Sequence, residues 1–386
     1  MRILICHNTY QIAGGEDTVV AAEQALLKKH GHEVKLYQVS NDKIEGIIPK
    51  IQTALQISYS EKAKQELTEQ LIQFSPDIVH FHNTFPLLTP SVYDACIEAS
   101  IPSIQTLHNY RTICPGALLM RDGKICEKCI TSSAYNAVKY GCYRDSSLQT
   151  LAVAHLVNQH RAKDTWNQKV TRYIALTQFA KNKFSEAGFT PSLIRVKPNF
   201  IELNELPKPS NKQSFALFVG RISEEKGIQT LISAFEKNGI PLKVAGDGPL
   251  LESLINSSPN NIEILGRQNT EEIYKLMRKA QFMVMPSQWY EGFPMVIVEA
   301  FAHGLPVLCS KLGAMEEIIT DNETGVHFTS GDTEELSHKA NELFNNPEKC
   351  FEMGKNAQQQ YIENYNADTN YHQLISIYKE AINEYT

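Results

Sequence analysis

The chain has 386 residues, of which 42% are apolar and 21% charged, and its formal net charge at pH 7 is −6. This length exceeds what one hydrophobic core holds and predicts two domains, while the acidic balance argues against a nucleic-acid partner. No apolar run approaches the ~18 residues of a membrane span. The start, Met1 to Cys6, predicts a strand rather than a signal peptide, so we expect a cytoplasmic protein with reduced cysteines.

Both halves alternate short apolar runs with segments of helical period, the pattern of parallel α/β sheets. In the first half this predicts strands at 3–7, 34–39, 78–82, 103–108 and 173–177 and a helix at 16–29. In the second half it predicts strands at 216–220, 242–245, 262–265, 282–285 and 307–309, with helices at 227–237, 248–256 and 271–279. His80 and His82 alternate onto one face of their strand, where we interpret them as packing or acceptor-pocket residues.

The polar, turn-rich stretch 198–213 predicts the linker between the domains; it contains Pro207, Pro209 and Ser210. We therefore expect an N-terminal domain at 1–205, a C-terminal domain at 206–365 and a terminal helix at 366–386. That helix carries Tyr371, Leu374, Ile375 and Tyr378 at helical spacing, which predicts packing against the first domain. Open α/β sheets bind ligands beyond the carboxyl ends of their strands, so two facing domains predict a cleft lined by loops of both.

The strongest local signal is the pair Glu291 and Glu299, which follows an apolar strand. Pro294 suits the first turn of a helix, and Gly304 suits its end, so the segment predicts strand, loop and a helix of about ten residues. Loop amides and the positive helix end between the glutamates would suit a phosphate. At ~1.5 Å rise per helical residue the carboxylates would lie roughly 10 Å apart, which fits two ends of one ligand.

Other loops supply cations and close backbone approach. Arg221 follows a predicted strand, and Lys226 precedes the next helix, so the two are well placed to neutralise a diphosphate. The pair Gly14 and Gly15 follows the first strand and allows the backbone to approach an anion. A nicotinamide site is not expected after Gly246-Asp247-Gly248, because Leu251 stands where the third glycine is needed.

A segment at 109–147 contains four cysteines, the cysteine set: Cys114, Cys126, Cys129 and Cys142. A Cys-x-x-Cys flanked by two further thiols can place four sulfurs tetrahedrally around Zn²⁺, which would be a structural site. Free or redox-active thiols are the second interpretation, and disulfides are the third.

Taken together, the motifs resemble those of a known family. They are Gly14-Gly15, Val219-Gly220-Arg221 with Lys226-Gly227, Ala245-Gly246-Asp247-Gly248-Pro249, and Glu291 with Glu299. The pattern resembles family-four retaining glycosyltransferases of the GT-B fold over nearly the whole chain, and the cysteine-containing insert is similar to that of bacterial members acting in surface-polysaccharide assembly. The resemblance implies two facing Rossmann-like domains and catalysis without a metal.

The resemblance also implies a role for each matching residue. Arg221 and Lys226 would hold the donor diphosphate and stabilise its departure, and Glu299 would bind the ribose. Glu291 and the backbone of Gly292, Phe293, Pro294 and Met295 would hold the sugar hydroxyls and the phosphate. Gly15 would close on the phosphates, His108 would lie near the transferred sugar, and Gly266 and Arg267 would edge the nucleobase.

We therefore expect an enzyme that moves a sugar from a UDP- or GDP-linked donor to a glycan or lipid-linked oligosaccharide acceptor with retention of configuration. Peripheral contact with the inner face of the membrane stays open. The alternatives are a GT-B enzyme acting on a small soluble acceptor and a non-catalytic nucleotide-sugar sensor or scaffold. Slow release of nucleoside diphosphate would favour an enzyme, whereas binding without turnover would favour the sensor.

Overall fold

The computed structural model describes residues 1–9, 14–44, 46–203, 205–208 and 212–385. The chain forms two compact units, one of residues 1–119, 126–199 and 367–386 and one of residues 120–125 and 200–366. Each unit contains a six-stranded sheet. The domain boundaries at 205 and 365 stay predictions, and Pro209 and Ser210 of the predicted linker lie outside the described residues.

The first sheet has the strand order β2-β1-β3-β4-β7-β8, and every neighbouring pair is parallel. The order reverses direction between β1 and β3, which is where a doubly wound sheet offers a crevice for ligands. The elements of this part of the chain are β1 (Arg2–Thr9), α1 (Gly15–Lys29), β2 (Glu33–Ser40), α2 (Ile47–Gln56), α3 (Glu61–Phe74), β3 (Ile78–Asn83), α4 (Ser91–Glu98), β4 (Ser103–Leu107), the hairpin β5 (Met120–Arg121) and β6 (Lys124–Ile125), α5 (Lys128–Thr131), α6 (Ser147–Ala162), α7 (Thr165–Gln168), β7 (Arg172–Ala175), α8 (Gln178–Glu186) and β8 (Ile194–Val196).

The second sheet has the order β11-β10-β9-β12-β13-β14, again with parallel neighbours. In chain order this is 3-2-1-4-5-6, the doubly wound arrangement whose switch point lies between β9 and β12. The elements are β9 (Ala216–Val219), α9 (Ile228–Asn238), β10 (Leu242–Ala245), α10 (Leu251–Ser257), β11 (Ile262–Gly266), α11 (Thr270–Lys279), β12 (Phe282–Met285), α12 (Met295–Ala302), β13 (Val307–Ser310), α13 (Ala314–Ile318), β14 (Gly325–Phe328), α14 (Thr333–Phe344) and α15 (Pro347–Asn364).

The last helix, α16 (Ala367–Tyr385), returns to the first unit. Its buried residues Leu374, Ile375 and Tyr378 pack in one cluster with Ile3 and Ile78 of the central strands. The prediction that the terminal helix packs against the first domain is confirmed. Burial of these side chains removes apolar surface from water, which stabilises the docked helix.

The structure differs from the sequence prediction at its short strands and at the helix after Glu291. The edge strands β8 and β14, three and four residues long, and the two-residue hairpin strands β5 and β6 were not predicted. The helix after Glu291 has eight residues rather than about ten, because it begins at Met295, with Pro294 at the capping position before it. Its end agrees with the prediction: Gly304 has φ +60° and its N–H donates to the Phe301 carbonyl at 2.9 Å.

None of the helices in the described part of the chain combines the length and the apolar character needed to span a bilayer.

Candidate functional site

The loop after β9 is held against the loop after β10 by backbone hydrogen bonds. The Gly220 N–H donates to the Ala245 carbonyl at 3.1 Å, and the Ile222 N–H donates to the Asp247 carbonyl at 2.8 Å. Gly246 makes this approach possible, because a Cβ at that position would lie 1.8 Å from the Gly220 carbonyl oxygen. The Gly-Asp-Gly motif therefore fixes the segment that carries Arg221.

The same loop also meets the loop after β12, on the other side of β9. Gly227 has φ +69°, and a Cβ there would lie 1.9 Å from the Pro286 carbonyl oxygen. Nearby, the Gln288 N–H donates to the Glu225 carbonyl at 2.9 Å. These contacts lie beyond the carboxyl ends of β9 and β12, at the switch point of the second sheet.

Lys226 and Glu291 form an ion pair across this junction. The Lys226 Nζ lies 2.7 Å from Glu291 Oε1, and the ammonium lies 5.5 Å from the ring centroid of Trp289. Glu291 is only 5% exposed, and its Oε1 also accepts hydrogen bonds from Ser287 Oγ at 2.7 Å and Trp289 Nε1 at 2.8 Å. Three donors on one oxygen satisfy the buried carboxylate and fix its orientation.

Ser287 and Trp289 were not among the candidate residues of the sequence analysis. Both lie in the same loop as Glu291, between the end of β12 and the start of α12. A buried carboxylate requires hydrogen-bond donors, and the polar neighbours of Glu291 in that loop were the signal that could have identified them.

The start of α12 determines which backbone groups from Gly292 to Met295 could donate to the predicted phosphate, whose binding stays a prediction. Pro294 has no N–H and occupies the capping position, where its carbonyl accepts the Ile297 N–H at 3.0 Å. The backbone donors of this segment are therefore limited to Gly292, Phe293 and Met295, while the Phe293 side chain packs against the core of the unit.

Glu299 lies on α12 and is half-buried. Burial raises the pKa of its carboxyl to about 7. Burial, and then the Glu299 charge, raise the pKa of Tyr274 to about 12. Among the described residues none donates a hydrogen bond to the Glu299 carboxylate. This carboxylate is therefore costly to ionise unless a ligand supplies donors.

The remaining candidates of the second unit lie on two loops. Arg221 and Arg267 are both exposed, and within the described residues neither side chain makes an ion pair. Gly266 ends β11 with φ +65°, and its carbonyl accepts the Gly246 N–H at 2.8 Å. The structure thus brings Lys226 and Glu291 into contact and links the Gly266 and Arg221 loops through Gly246.

In the first unit, α1 begins at Gly15, and its first turn is capped by the Asp17 carboxylate, which accepts the Gly14 N–H at 2.8 Å. Among the described residues, a Cβ at Gly14 or Gly15 would meet no atom within 4 Å. His108 directly follows β4, is half-buried, and its Nε2 lies 2.9 Å from His82 Nδ1.

His80 and His82 are both buried in the first unit, which fits their interpretation as packing residues. His80 Nε2 lies 2.8 Å from Thr106 Oγ1, and its Nδ1 lies 2.8 Å from the Tyr378 hydroxyl. The roles assigned to Gly15 and His108 stay predictions.

None of the eight cysteines forms a disulfide, so the disulfide interpretation of the cysteine set is wrong for this structure. Burial, and then the neighbouring thiols of the set, raise the pKa of Cys129 to about 12. Four thiols are the donor set of a structural zinc site. In the described part of the chain, however, only one group of three or more potential metal ligands has its ligand atoms within 4.8 Å of one another, and it consists of Glu23, His80 and His82 rather than the cysteines. Zinc at the cysteine set stays a prediction.

Comparison with known proteins identifies the family. Residues 13–205, half of the chain, match the family described as Glycosyltransferase Family 4, and residues 201–360 match Glycosyl transferases group 1. The chain belongs to glycosyltransferase family 4. The resemblance stated from the motifs is confirmed, and so is the prediction of two Rossmann-like domains.

The relatives of this glycosyltransferase match only parts of its length. An uncharacterized glycosyltransferase, MJ1178 of Methanocaldococcus jannaschii, is 35% identical over 150 residues, which are 38% of this chain and 42% of that protein. The O-antigen chain mannosyltransferase C of Escherichia coli is 27% identical over 171 residues, 43% of this chain and 46% of the relative. The chain spans about half the length of the curated relatives it matches.

Solved structures match this glycosyltransferase over nearly its whole length. HepE from Anabaena, in complex with UDP, superposes with a TM-score of 0.70 at 18% identity, covering 98% of this chain and 100% of HepE. Sucrose-phosphate synthase from Thermosynechococcus elongatus superposes with a TM-score of 0.73 at 16% identity, covering 98% of this chain and 99% of the other. At such identities the likeness establishes the GT-B fold.

Proposed function

We propose that this protein is a retaining glycosyltransferase that transfers a hexose or related sugar from a nucleotide-sugar donor without a catalytic metal. The observation that carries the proposal is the ion pair between Lys226 and Glu291 at the switch point of the second sheet. Cleavage of the anomeric bond leaves charge on the departing diphosphate, which fixed cations stabilise. Lys226 and Arg221 supply such cations, and the chain contains no Asp-x-Asp metal clamp.

The two glutamates of the motif suit two different parts of one donor. Glu291 is fixed by Ser287, Trp289 and Lys226 through one oxygen, so its carboxylate is oriented before a sugar hydroxyl binds. The Glu299 carboxylate receives no hydrogen bond from the described residues, and the two hydroxyls of a ribose would provide such hydrogen bonds. The UDP-bound HepE structure supports a nucleotide donor for proteins of this fold.

The proposed acceptor is a glycan or a lipid-linked glycan, in surface-polysaccharide biosynthesis in the cytoplasm. Support comes from relatives named for such products, among them the O-antigen chain mannosyltransferase C of Escherichia coli and the D-rhamnosyltransferase WbpZ of Pseudomonas aeruginosa. Their alignments cover 46% and 42% of those proteins, so the acceptor belongs to the proposal.

Peripheral contact with an anionic membrane is part of the same proposal. The supporting surface is formed by α6 and the 3₁₀ helix at 134–140 that packs against it, where Tyr140, Leu148 and Leu151 are exposed. Lys139 and Arg144, in the same stretch of the chain, are also exposed. Flotation with vesicles tests it: binding to anionic vesicles that is lost in Leu148→Ser/Leu151→Ser supports the contact, and no binding of the parent protein contradicts it.

Substitution of the two cations tests the donor site. Arg221→Ala and Lys226→Ala should each weaken transition-state binding by roughly 2–4 kcal/mol, measured as kcat/KM for nucleoside-diphosphate release or sugar transfer. Arg221 is exposed, so its variant separates catalysis from folding; Lys226→Ala also leaves Glu291 buried without its cation and requires a stability measurement. Lys237→Ala, at the exposed end of α9, is the matched control. Normal turnover in both site variants would refute the assignment.

A non-catalytic nucleotide-sugar sensor is the alternative from another class. Thermal shift against a panel of nucleoside diphosphates and their sugars identifies the donor, because a ligand of the native state raises the melting temperature. Release of nucleoside diphosphate from the stabilising donor supports the enzyme. Stabilisation without any release over hours, with every candidate acceptor present, would favour the sensor.

A further inference from the structure

A buried chain of polar side chains runs through the first unit to His108. Its inner members are Glu23 on α1, His82 at the end of β3, and Lys197, all of which are at most 2% exposed. His108, the outermost of these side chains, is half-buried. Buried ionisable groups are costly unless each is paired, so the protonation state of each member is restricted by its neighbours.

Glu23 is an ionised acceptor at the inner end of the chain. Its Oε2 lies 3.3 Å from Lys197 Nζ, and Lys197 also donates to Asn370 Oδ1 at 2.9 Å. Burial by itself would raise the pKa of Glu23, but Lys197 and His80 together outweigh burial and hold that pKa well below its usual value. An ionised carboxylate has no proton to donate, so every hydrogen bond it makes requires a donor.

His82 is the next member, and Glu23 determines which of its nitrogens carries the proton. Glu23 Oε1 lies 3.3 Å from His82 Nε2. The same oxygen also lies 3.0 Å from His80 Nδ1, whereas His82 Nε2 is buried and has no other partner among the described residues. An ionised carboxylate oxygen can only accept, so it would repel a lone pair on His82 Nε2. Nε2 therefore carries the proton. Burial and the neighbouring His80 lower the pKa of His82 to about 4, so the ring is neutral and Nδ1 has a free lone pair.

The lone pair of His82 in turn fixes the proton of His108. His82 Nδ1 lies 2.9 Å from His108 Nε2, so the hydrogen bond requires a proton on His108 Nε2. Burial, and then His82, hold the pKa of His108 well below its usual value, so this ring is also neutral. A neutral imidazole with a proton on Nε2 has its acceptor at Nδ1.

We propose that Glu23 and His82 are positioning residues that fix the tautomer of His108, so that His108 presents Nδ1 as a hydrogen-bond acceptor to a hydroxyl of the sugar being transferred. The inference rests on the proposed function for the identity of the ligand, but the tautomer itself is a property of the free protein. An acceptor selects a sugar hydroxyl as donor and repels an anionic oxygen, so it orients the sugar without binding the phosphate.

A metal ion is the other occupant that these side chains could take. Glu23, His80 and His82 each offer one ligand atom within 4.8 Å of the others. Lys197, however, already places a positive charge 3.3 Å from Glu23 Oε2, so a divalent cation would meet an unbalanced positive charge in a buried site. The hydrogen-bonded chain needs no such cation.

The tautomer is measured directly from the imidazole ¹⁵N resonances of His108 in the full-length protein, assigned with His108→Gln. The parent protein should show protonated Nε2 and bare Nδ1 between pH 6 and 9. A protonated Nδ1 would overturn the proposal, as would one bound divalent metal per chain that is lost in Glu23→Gln. This ¹⁵N measurement does not depend on transfer activity. It therefore tests the tautomer by itself, whereas a parent protein that does not turn over any nucleotide-sugar would show that the proposed function is wrong.

Two variants separate positioning from stability. Glu23→Gln leaves Lys197 without its counter-charge and should lower the melting temperature, whereas Glu23→Gln/Lys197→Met removes both charges and should regain most of that loss. Because the glutamine amide offers a donor as well as an acceptor, both variants should populate the other His108 tautomer. Both should also lose at least about tenfold in kcat, with a smaller change in the donor KM.

The matched control is His160→Gln, which alters a buried histidine of the same unit that bonds Thr165 and the Ser58 carbonyl outside this chain. It should keep the His108 tautomer and the parental kcat. A double variant that keeps protonated Nε2 on His108 together with parental kcat would overturn the proposal. So would a loss of kcat in His160→Gln equal to that in the double variant.

Discussion

Replacement of Glu299 by glutamine should stabilise the protein at alkaline pH while weakening donor binding. Burial raises the pKa of Glu299 to about 7, from 4.5 for a glutamate carboxyl in water. Below pH 4.5 the group is protonated in both states and has no effect. Between pH 4.5 and 7 the unfolded chain releases a proton that the folded protein keeps, so stability falls as the pH rises.

The size of the effect follows from the shift. A difference of about 2.5 pH units, at 1.36 kcal/mol each, makes the folded protein up to about 3 kcal/mol less stable above pH 8 than at pH 4.5. Glutamine cannot ionise, so Glu299→Gln should not suffer this loss. The free energy of unfolding of the variant, relative to the parent, should therefore rise by up to about 3 kcal/mol across this range.

The chain offers a clean assay because it contains only two tryptophans. With Trp166→Phe introduced into both proteins, Trp289 fluorescence reports on the second unit during urea unfolding at pH 5 and pH 8.5. The comparison between variant and parent cancels the other titrating groups. A stability difference that does not change with pH would refute the argument that Glu299 is desolvated. Unchanged affinity for the nucleoside diphosphate in Glu299→Gln would refute its role at the ribose.

The remaining predictions concern a glycine, a tryptophan and the cysteine set. Gly227→Ala should cost well over about 1 kcal/mol of stability, because its Cβ would overlap the Pro286 carbonyl; Gly239→Ala, with the same φ of +69° but open space, should cost only about 1 kcal/mol, and equal urea midpoints would contradict this. Trp289→Phe removes one of the three hydrogen-bond donors to the Glu291 carboxylate. Isothermal titration should therefore show the affinity for the nucleotide-sugar weakened by about 1 kcal/mol, and unchanged binding would argue against a role for the orientation of Glu291. Elemental analysis should find about one zinc per chain at the cysteine set; less than about 0.2 zinc, with iron also absent, would exclude a metal there.

The fold was largely predictable because its central strands are buried apolar runs. The predicted strands 242–245 and 282–285 coincide with β10 and β12, which lie inside the sheet with neighbours on both sides. The strands of the two six-stranded sheets that were missed, β8 and β14, lie at sheet edges and have only three and four residues. So short a strand shows too little alternation to be recognised from one sequence.

The contact between Lys226 and Glu291 was harder to predict from the sequence than the strands. Lys226 and Glu291 were both candidates, but they are 65 residues apart in the chain, and only the pairing of β9 with β12 brings their loops together. Sequence order places these two strands first and fourth among the strands of the second sheet, so their contact depends on the doubly wound topology.

The buried chain that ends at His108 had a signal that was overlooked. Along α1 the buried residues are Val19, Val20, Glu23, Leu26 and Leu27, which follow the period of one helix face. Glu23 is therefore a charged residue at a core-facing position of an otherwise apolar stripe, and such a residue requires a buried partner. Its partner Lys197 lies 174 residues away in the sequence. The sequence could therefore predict that Glu23 has a buried partner, but not which residue that partner is.

The two glutamates of the motif stand in opposite electrostatic environments although they share one strand, loop and helix. Glu291 is nearly fully buried and is already matched by Lys226, so its position is set before any ligand arrives. Glu299 has no donor among the described residues, and burial leaves its pKa near neutrality. A ligand that gives Glu299 two hydroxyl donors lowers that pKa, so donor binding should release a proton below about pH 7 and tighten as the pH rises. The spacing of the two glutamates could not assign their roles. The roles follow from which carboxylate already receives hydrogen bonds in the folded protein and which one lacks them.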